Sequence, residues 1–114
     1  MICDRFAVIV IPFPFTDRVA SKRRPATALS GKSFNEAGHT VLAMITTKHH
    51  SPWPSDTPIT DLATAGLREP CIVRMKLFTL DNRLIEKSIG KLGVADARNV
   101  EQSLGRCLEH LLPE

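Results

Sequence analysis

The chain has 114 residues, 43% of them hydrophobic and 24% charged, with a net charge of +3 at neutral pH. That is the length of one ordinary domain, expected to span 1–114 with a core of its own, and no apolar run approaches the ~20 residues of a membrane-spanning helix. Cys3, Cys71 and Cys107 are odd in number and share no close spacing, which speaks against a disulfide framework or a zinc site and for reduced thiols.

The first apolar run, residues 6–11, is apolar on both alternating faces and rich in β-branched residues, the pattern of a buried strand. It runs into Pro12 and Pro14, which is not the layout of a secretory signal, so a cytoplasmic protein is expected. A loop follows over 12–24. Two prolines stiffen its start, and Lys22, Arg23 and Arg24 give its end the densest cluster of one sign in the chain. Residues 25–30 read as a second strand, antiparallel to the first, with Gly31 as a turn signal.

Asn35 and Gly38 mark the next turn, and 39–47 holds a third strand centred on 41–45. Residues 48–58 carry three prolines, His49, His50 and Trp53, and read as irregular. Asp61 to Leu67 predicts one or two helical turns, capped by Thr60 or Asp61 and stopped at Gly66. Residues 72–80 alternate, with Val73, Met75 and Leu77 on one face and Arg74 and Lys76 on the other. Asp81 and Asn82 turn the chain, and 84–92 is ambiguous between strand and short helix, with strand favoured. Over 95–112, Ala97, Val100, Leu104, Leu108 and Leu111 recur at helical spacing, an amphipathic C-terminal helix. Several short strands and one terminal helix sharing a core predict a mainly β fold, a small curved barrel with a helix packed on it.

A set of motifs in order makes the reading sharper. They are Pro12-Phe13-Pro14-Phe15-Thr16-Asp17, Ser21-Lys22-Arg23-Arg24-Pro25-Ala26, Met44-Ile45-Thr46-Thr47, Gly66-Leu67, Val73-Arg74, Phe78-Thr79-Leu80-Asp81 with Arg83-Leu84, and Ile89-Gly90-Lys91-Leu92. Through them nearly the whole chain resembles the MazF/PemK-type toxins of bacterial toxin-antitoxin systems. The resemblance implies an SH3-like barrel of the MazF/PemK/CcdB-like kind, assembled as a homodimer. It further implies a metal-independent endoribonuclease, without cofactor, acting on single-stranded RNA at short sequences in messenger RNA, and a cognate antitoxin that covers the RNA groove. Arg24 and Thr46 occupy the positions of the central catalytic pair. The sequence departs from the family at Phe6-Ala7, where relatives commonly carry Gly-Asp, and at Met75-Lys76, where some carry a carboxylate beside the arginine matched here by Arg74.

The residue chemistry agrees with part of this. Metal-free cleavage uses the neighbouring 2′-hydroxyl as nucleophile, so the protein must orient it, stabilise the crowded phosphorane and move protons. A guanidinium such as that of Arg24 presents fixed donors to phosphate oxygens, but with a pKa above ~12 arginine is a poor proton donor. The Thr46 hydroxyl can hydrogen-bond substrate but is a weak base. His49 and His50 titrate in a range suited to proton transfer and, with Arg74, are candidates for catalytic support; the alternative for the histidines is an exposed loop position or an RNA contact. Thr16, Asp17, Ser21, Lys22, Arg23, Thr47 and Lys48 are candidate RNA contacts, the cations as phosphate grips. Trp53 is a stacking platform for an unpaired base, a hydrophobic lid or an antitoxin contact. Phe13 and Phe15 read as packing anchors, and Cys71 as a core substitute for a small hydroxyl residue.

Two other functions fit the same fold. One is an RNA- or antitoxin-binding protein without cleavage. The other is a gyrase poison, ranked last because Glu109, His110 and Leu112-Pro113-Glu114 lack the Trp-Gly-hydrophobic ending expected of one.

Overall fold

The computed structural model describes residues 1–12, 22–47 and 51–109. Its strands are β1 (Ala7–Pro12), β2 (Arg23–Ala28), β3 (His39–Thr47), β4 (Thr57–Pro58), β5 (Cys71–Asp81) and β6 (Lys87–Lys91). The helices are α1 (Lys32–Asn35), α2 (Leu62–Ala65) and α3 (Val94–Cys107), with a 3₁₀ turn at Asn82–Leu84. All six strands pair antiparallel in one sheet ordered β4-β5-β3-β2-β1-β6. The expected mainly β fold with a C-terminal helix is present, as a curled half-barrel.

Curvature has a local cause. The ladder shifts register between Val8 and Ile9 against β6, and between Ala43 and Met44 against β5. Such irregularities bend a strand and raise its twist. The bent sheet is then bridged between its edges: β4 leads into α2, and α2 packs on β6. This contact is close enough to require glycine on both sides. A Cβ on Gly66 would stand 2.1 Å from the Ile89 carbonyl oxygen, and one on Gly90 would stand 2.5 Å from that of Thr64. Gly66 also takes φ +75, ending α2 in the left-handed conformation, while the Asp61 side chain caps its start by accepting from the Thr64 N–H.

Both faces of the sheet are buried, which is why β1 reads as a continuous apolar run. Val8 joins Ala43, Ile45, Val73 and Met75 in a core that includes Val100 of α3. On the other face Ile9 and Ile11 pack with Ala26, Ala28, Leu42 and Leu80. Burying a side chain of this size contributes about 1.5–3 kcal/mol.

Helix α3 is tied down at its first turn. Asp96, 1% exposed, accepts from the Thr60 N–H, the Thr60 hydroxyl and the Asp61 N–H at 2.8 to 3.0 Å. The helix ends earlier than its apolar spacing predicts. Leu108 leaves the helical conformation and Glu109 takes φ 59, so Leu108 stands exposed beyond the stripe of Ala97, Val100 and Leu104. Residue 111, the last of the predicted stripe, lies outside the described residues.

Two further expectations change. Residues 57–58, read as irregular, form β4 because the Thr57 and Pro58 backbone pairs with Val73 and Ile72. Residues 84–92 contain strand only from Lys87, after the 3₁₀ turn that Asp81 caps. The departure at Phe6 also has a structural consequence. Phe6 adopts φ 66, where a bulky residue is strained and glycine is not. Its backbone is held by bonds from the Phe6 N–H to the Ala28 carbonyl (2.7 Å) and from the Leu92 N–H to its own carbonyl (3.0 Å). Its ring packs on the core under the Arg5 guanidinium, 4.6 Å from the centroid.

Candidate active site

The central strands part company at a definite place. β2 and β3 pair from Ala28↔Leu42 to Ala26↔Met44, where the described ladder ends. The next residue of β2 is Pro25, which has no N–H to donate. Continuing the register two residues along each strand sets Arg24 opposite Thr46, so the two expected catalytic residues flank the mouth where the strands diverge. Arg24 is half-buried and Thr46 is 6% exposed.

A groove of about 630 Å³ opens there. Lys22, Arg23, Arg24 and Pro25 form one wall, and Ile45, Thr46 and Thr47 a second. The third wall comes from the connection between α2 and β5, through Gly66, Leu67, Arg68, Glu69 and Cys71. Four cations and two threonine hydroxyls therefore share one cleft with a single carboxylate, Glu69, among the described residues that line it. Arg23 also forms an exposed ion pair with Glu86. Burial pushes the Cys71 thiol above its ordinary range, and the nearby Glu69 charge pushes in the same direction. A thiol held neutral is a poor nucleophile. Cys71 is 5% exposed and joins the core, the place its sequence context predicted.

Arg74 and Trp53 do not line this groove. Arg74 makes a paired-donor ion contact with Asp56, Nε to Oδ1 at 3.1 Å and Nη2 to Oδ2 at 3.0 Å, and its Nη2 also donates to the Ser51 carbonyl at 2.7 Å. The Trp53 backbone N–H donates to the same carboxylate at 3.0 Å. The indole lies near two cations, with Arg74 Cζ 5.8 Å and Lys76 Nζ 5.5 Å from the ring centroid. Arg74 thus staples the segment leading into β4 to the face of β5, and Trp53, 41% exposed, caps that staple.

Thr16, Asp17, Ser21, Lys48, His49 and His50 lie outside the described residues, as do Phe13, Phe15 and His110. The sequence reading brought Arg24, Thr46, Lys22, Arg23 and Thr47 to one site but missed Arg68 and Glu69. The signal available was a charged dipeptide between Gly66 and Pro70, two chain-turning residues. Its relevance depends on α2 folding across to β6, which no local pattern records.

A curled six-stranded sheet carrying one long helix, with a cation-rich groove where the central strands separate, defines a small SH3-like half-barrel receptive to an anionic chain. The chain belongs to the PemK-like, MazF-like toxins of type II toxin-antitoxin systems, whose family model matches residues 4–108. No curated protein matches its sequence significantly. Solved structures share its fold at low identity. The MazE-MazF complex (Form-III) of Deinococcus radiodurans matches with a TM-score of 0.75 at 19% identity, over 96% of this chain and 98% of that one. A mycobacterial endoribonuclease in complex with its cognate antitoxin gives 0.73 at 15%, over 98% of each chain. The Mycobacterium tuberculosis toxin MazF-mt6 gives 0.72 at 18%, over 90% and 96%.

Proposed function

We propose that this chain is a metal-independent endoribonuclease that cleaves single-stranded RNA, messenger RNA in particular, by attack of the 2′-hydroxyl on the adjacent phosphate. The observation that supports it is that Arg24 and Thr46 line one groove with three more cations. In this reading the Arg24 guanidinium binds the non-bridging phosphate oxygens and holds them more tightly as charge builds on the phosphorane. Its half-buried position strengthens the effect, because water competes less for its donors. The Thr46 hydroxyl orients the 2′-hydroxyl or the scissile phosphate. Lys22, Arg23 and Arg68 draw the backbone in without reading bases, and Thr47 supplies a further hydrogen bond.

The chain acts in the cytoplasm as a homodimer, and its cognate antitoxin silences it by occupying the same groove with acidic residues. Arg74 is assigned to holding the Trp53 segment, not to the reaction, because its Nε and Nη2 bond Asp56 and Ser51 and it does not line the groove. The test is incubation of the purified protein with a long single-stranded RNA in excess chelator and mapping of the new ends. Ends bearing cyclic or 3′-phosphate are expected. Arg24→Ala and Thr46→Ala should each lower the rate by about 10²–10³-fold in folded protein. RNA left intact across varied sequences would sink the proposal.

A further inference from the structure

The pair at the mouth of the groove leaves one part of the chemistry unassigned. An arginine and an unactivated threonine stabilise and orient, but neither readily accepts the 2′-hydroxyl proton. Glu69 is the one carboxylate among the described residues lining the groove, and it reaches the cleft from a different element than either member of the pair. Its loop is constrained at both ends. Gly66 turns the chain out of α2 at φ +75, and Pro70 restricts the backbone of Glu69 itself before β5 begins at Cys71. Cys71, two residues on, lines the same groove.

We infer that Glu69 is the general base of the cleavage reaction, an inference that rests on the ribonuclease reading above. The Glu69 carboxylate accepts the proton of the 2′-hydroxyl as the 2′-oxygen bonds to phosphorus. The bond from phosphorus to the 5′-oxygen breaks, that oxygen leaves with the electron pair, and solvent water protonates it. Glu69 returns its proton to the hydroxide so formed, leaving a 2′,3′-cyclic phosphate and a 5′-hydroxyl end. The groove it shares is also lined by Lys22, Arg23 and Arg24 from β2 and its approach, by Arg68 of the same loop and by Cys71 of β5. The cations that bind phosphate in this reading therefore line the same cleft as the base.

The experiment first maps one cleavage site on a long RNA with the wild-type chain. Single-turnover rates are then measured against pH, in chelator, on a short oligonucleotide carrying that site, and binding is measured on its uncleavable 2′-O-methyl analogue. Glu69→Gln is expected to slow cleavage by about 10²-fold or more and to abolish the acid limb of the pH profile. It should bind the analogue at least as tightly as wild type, since a negative charge has been removed. Glu69→Asp should retain the limb at a reduced rate. An unchanged profile in Glu69→Gln overturns the inference, as does a loss of binding that matches the loss of rate. So does an acid limb that survives Glu69→Gln but disappears in His49→Gln or His50→Gln. Absence of cleavage by the wild-type chain overturns the ribonuclease reading with it, whereas wild-type cleavage that Glu69→Gln leaves intact overturns this inference alone.

Discussion

Asp96 joins the helix to the element that closes the half-barrel, and replacing it with alanine removes a buried acceptor from two backbone N–H groups and one hydroxyl. A hydrogen bond to a charged group contributes about 1.5–3 kcal/mol. Thr60 and Asp61 are exposed, so water reaches part of the orphaned donors and lowers the total. Asp96 also sits in the first turn of α3, where a negative charge adds about 0.3–1 kcal/mol against the helix dipole. Together these give a loss of about 2–4 kcal/mol for Asp96→Ala, and a melting temperature lower by roughly 10 °C or more for a protein near this size. Asp96→Asn is the sharper variant. It keeps the volume but turns one acceptor oxygen into an amide facing N–H donors, so it should recover little of the loss. Urea unfolding followed by far-UV circular dichroism, at fixed protein concentration, measures both variants. A loss under about 1 kcal/mol for alanine, or an asparagine variant as stable as wild type, would refute the role given to this carboxylate.

Arg74→Ala separates structure from chemistry. The side chains of Arg74 and Asp56 are 12% and 18% exposed, so breaking the pair leaves a carboxylate poorly hydrated and should reduce stability by about 2–4 kcal/mol. The cleavage rate of the folded fraction should stay within about threefold of wild type; a folded variant slowed a hundredfold or more, a loss on the scale of a transition-state donor, would return Arg74 to the reaction. At acid pH the relevant pair is on the surface. The hydrogen bond from the Arg83 side chain, more than any other influence, lowers Asp81 from 3.8 to about 2. A depressed carboxylate adds stability above its unfolded value and loses it as pH falls from 3.8 towards 2. Arg83→Ala should therefore flatten the fall in stability across that window in acid titrations, and equal slopes for variant and wild type would exclude the coupling.

The strands were legible wherever one residue type carried the information. β1 and β3 announce themselves by β-branched runs, and β5 by the alternation of Val73 and Met75 with Arg74 and Lys76. The short helix α2 is readable from Asp61 and Gly66, since a capping carboxylate and a left-handed glycine act within a few residues. β4 was not legible, because two residues become a strand only when a longer neighbour offers its edge. The end of α3 was overrun for a related reason: the apolar spacing continues through Leu108, but the backbone turns away there and nothing in the periodicity records it.

The site divides along the same line. Sequence by itself determined its cationic character and the proline that closes the loop, and the motifs around Arg24 and Thr46 singled out both residues; that they line one cleft follows from the way β2 and β3 pair and then diverge. Tertiary structure decided the third wall. Arg68 and Glu69 reach the groove only because Gly66 and Gly90 let α2 approach β6 and because Asp96 holds the segment before α2 in place. It decided Arg74 as well, whose position on β5 is a matter of pattern but whose commitment to Asp56 depends on where a proline-rich segment returns to the sheet. Local propensity acts over a few residues, whereas the contacts that assemble this groove join residues dozens of positions apart, and only the closed half-barrel brings them to one cleft.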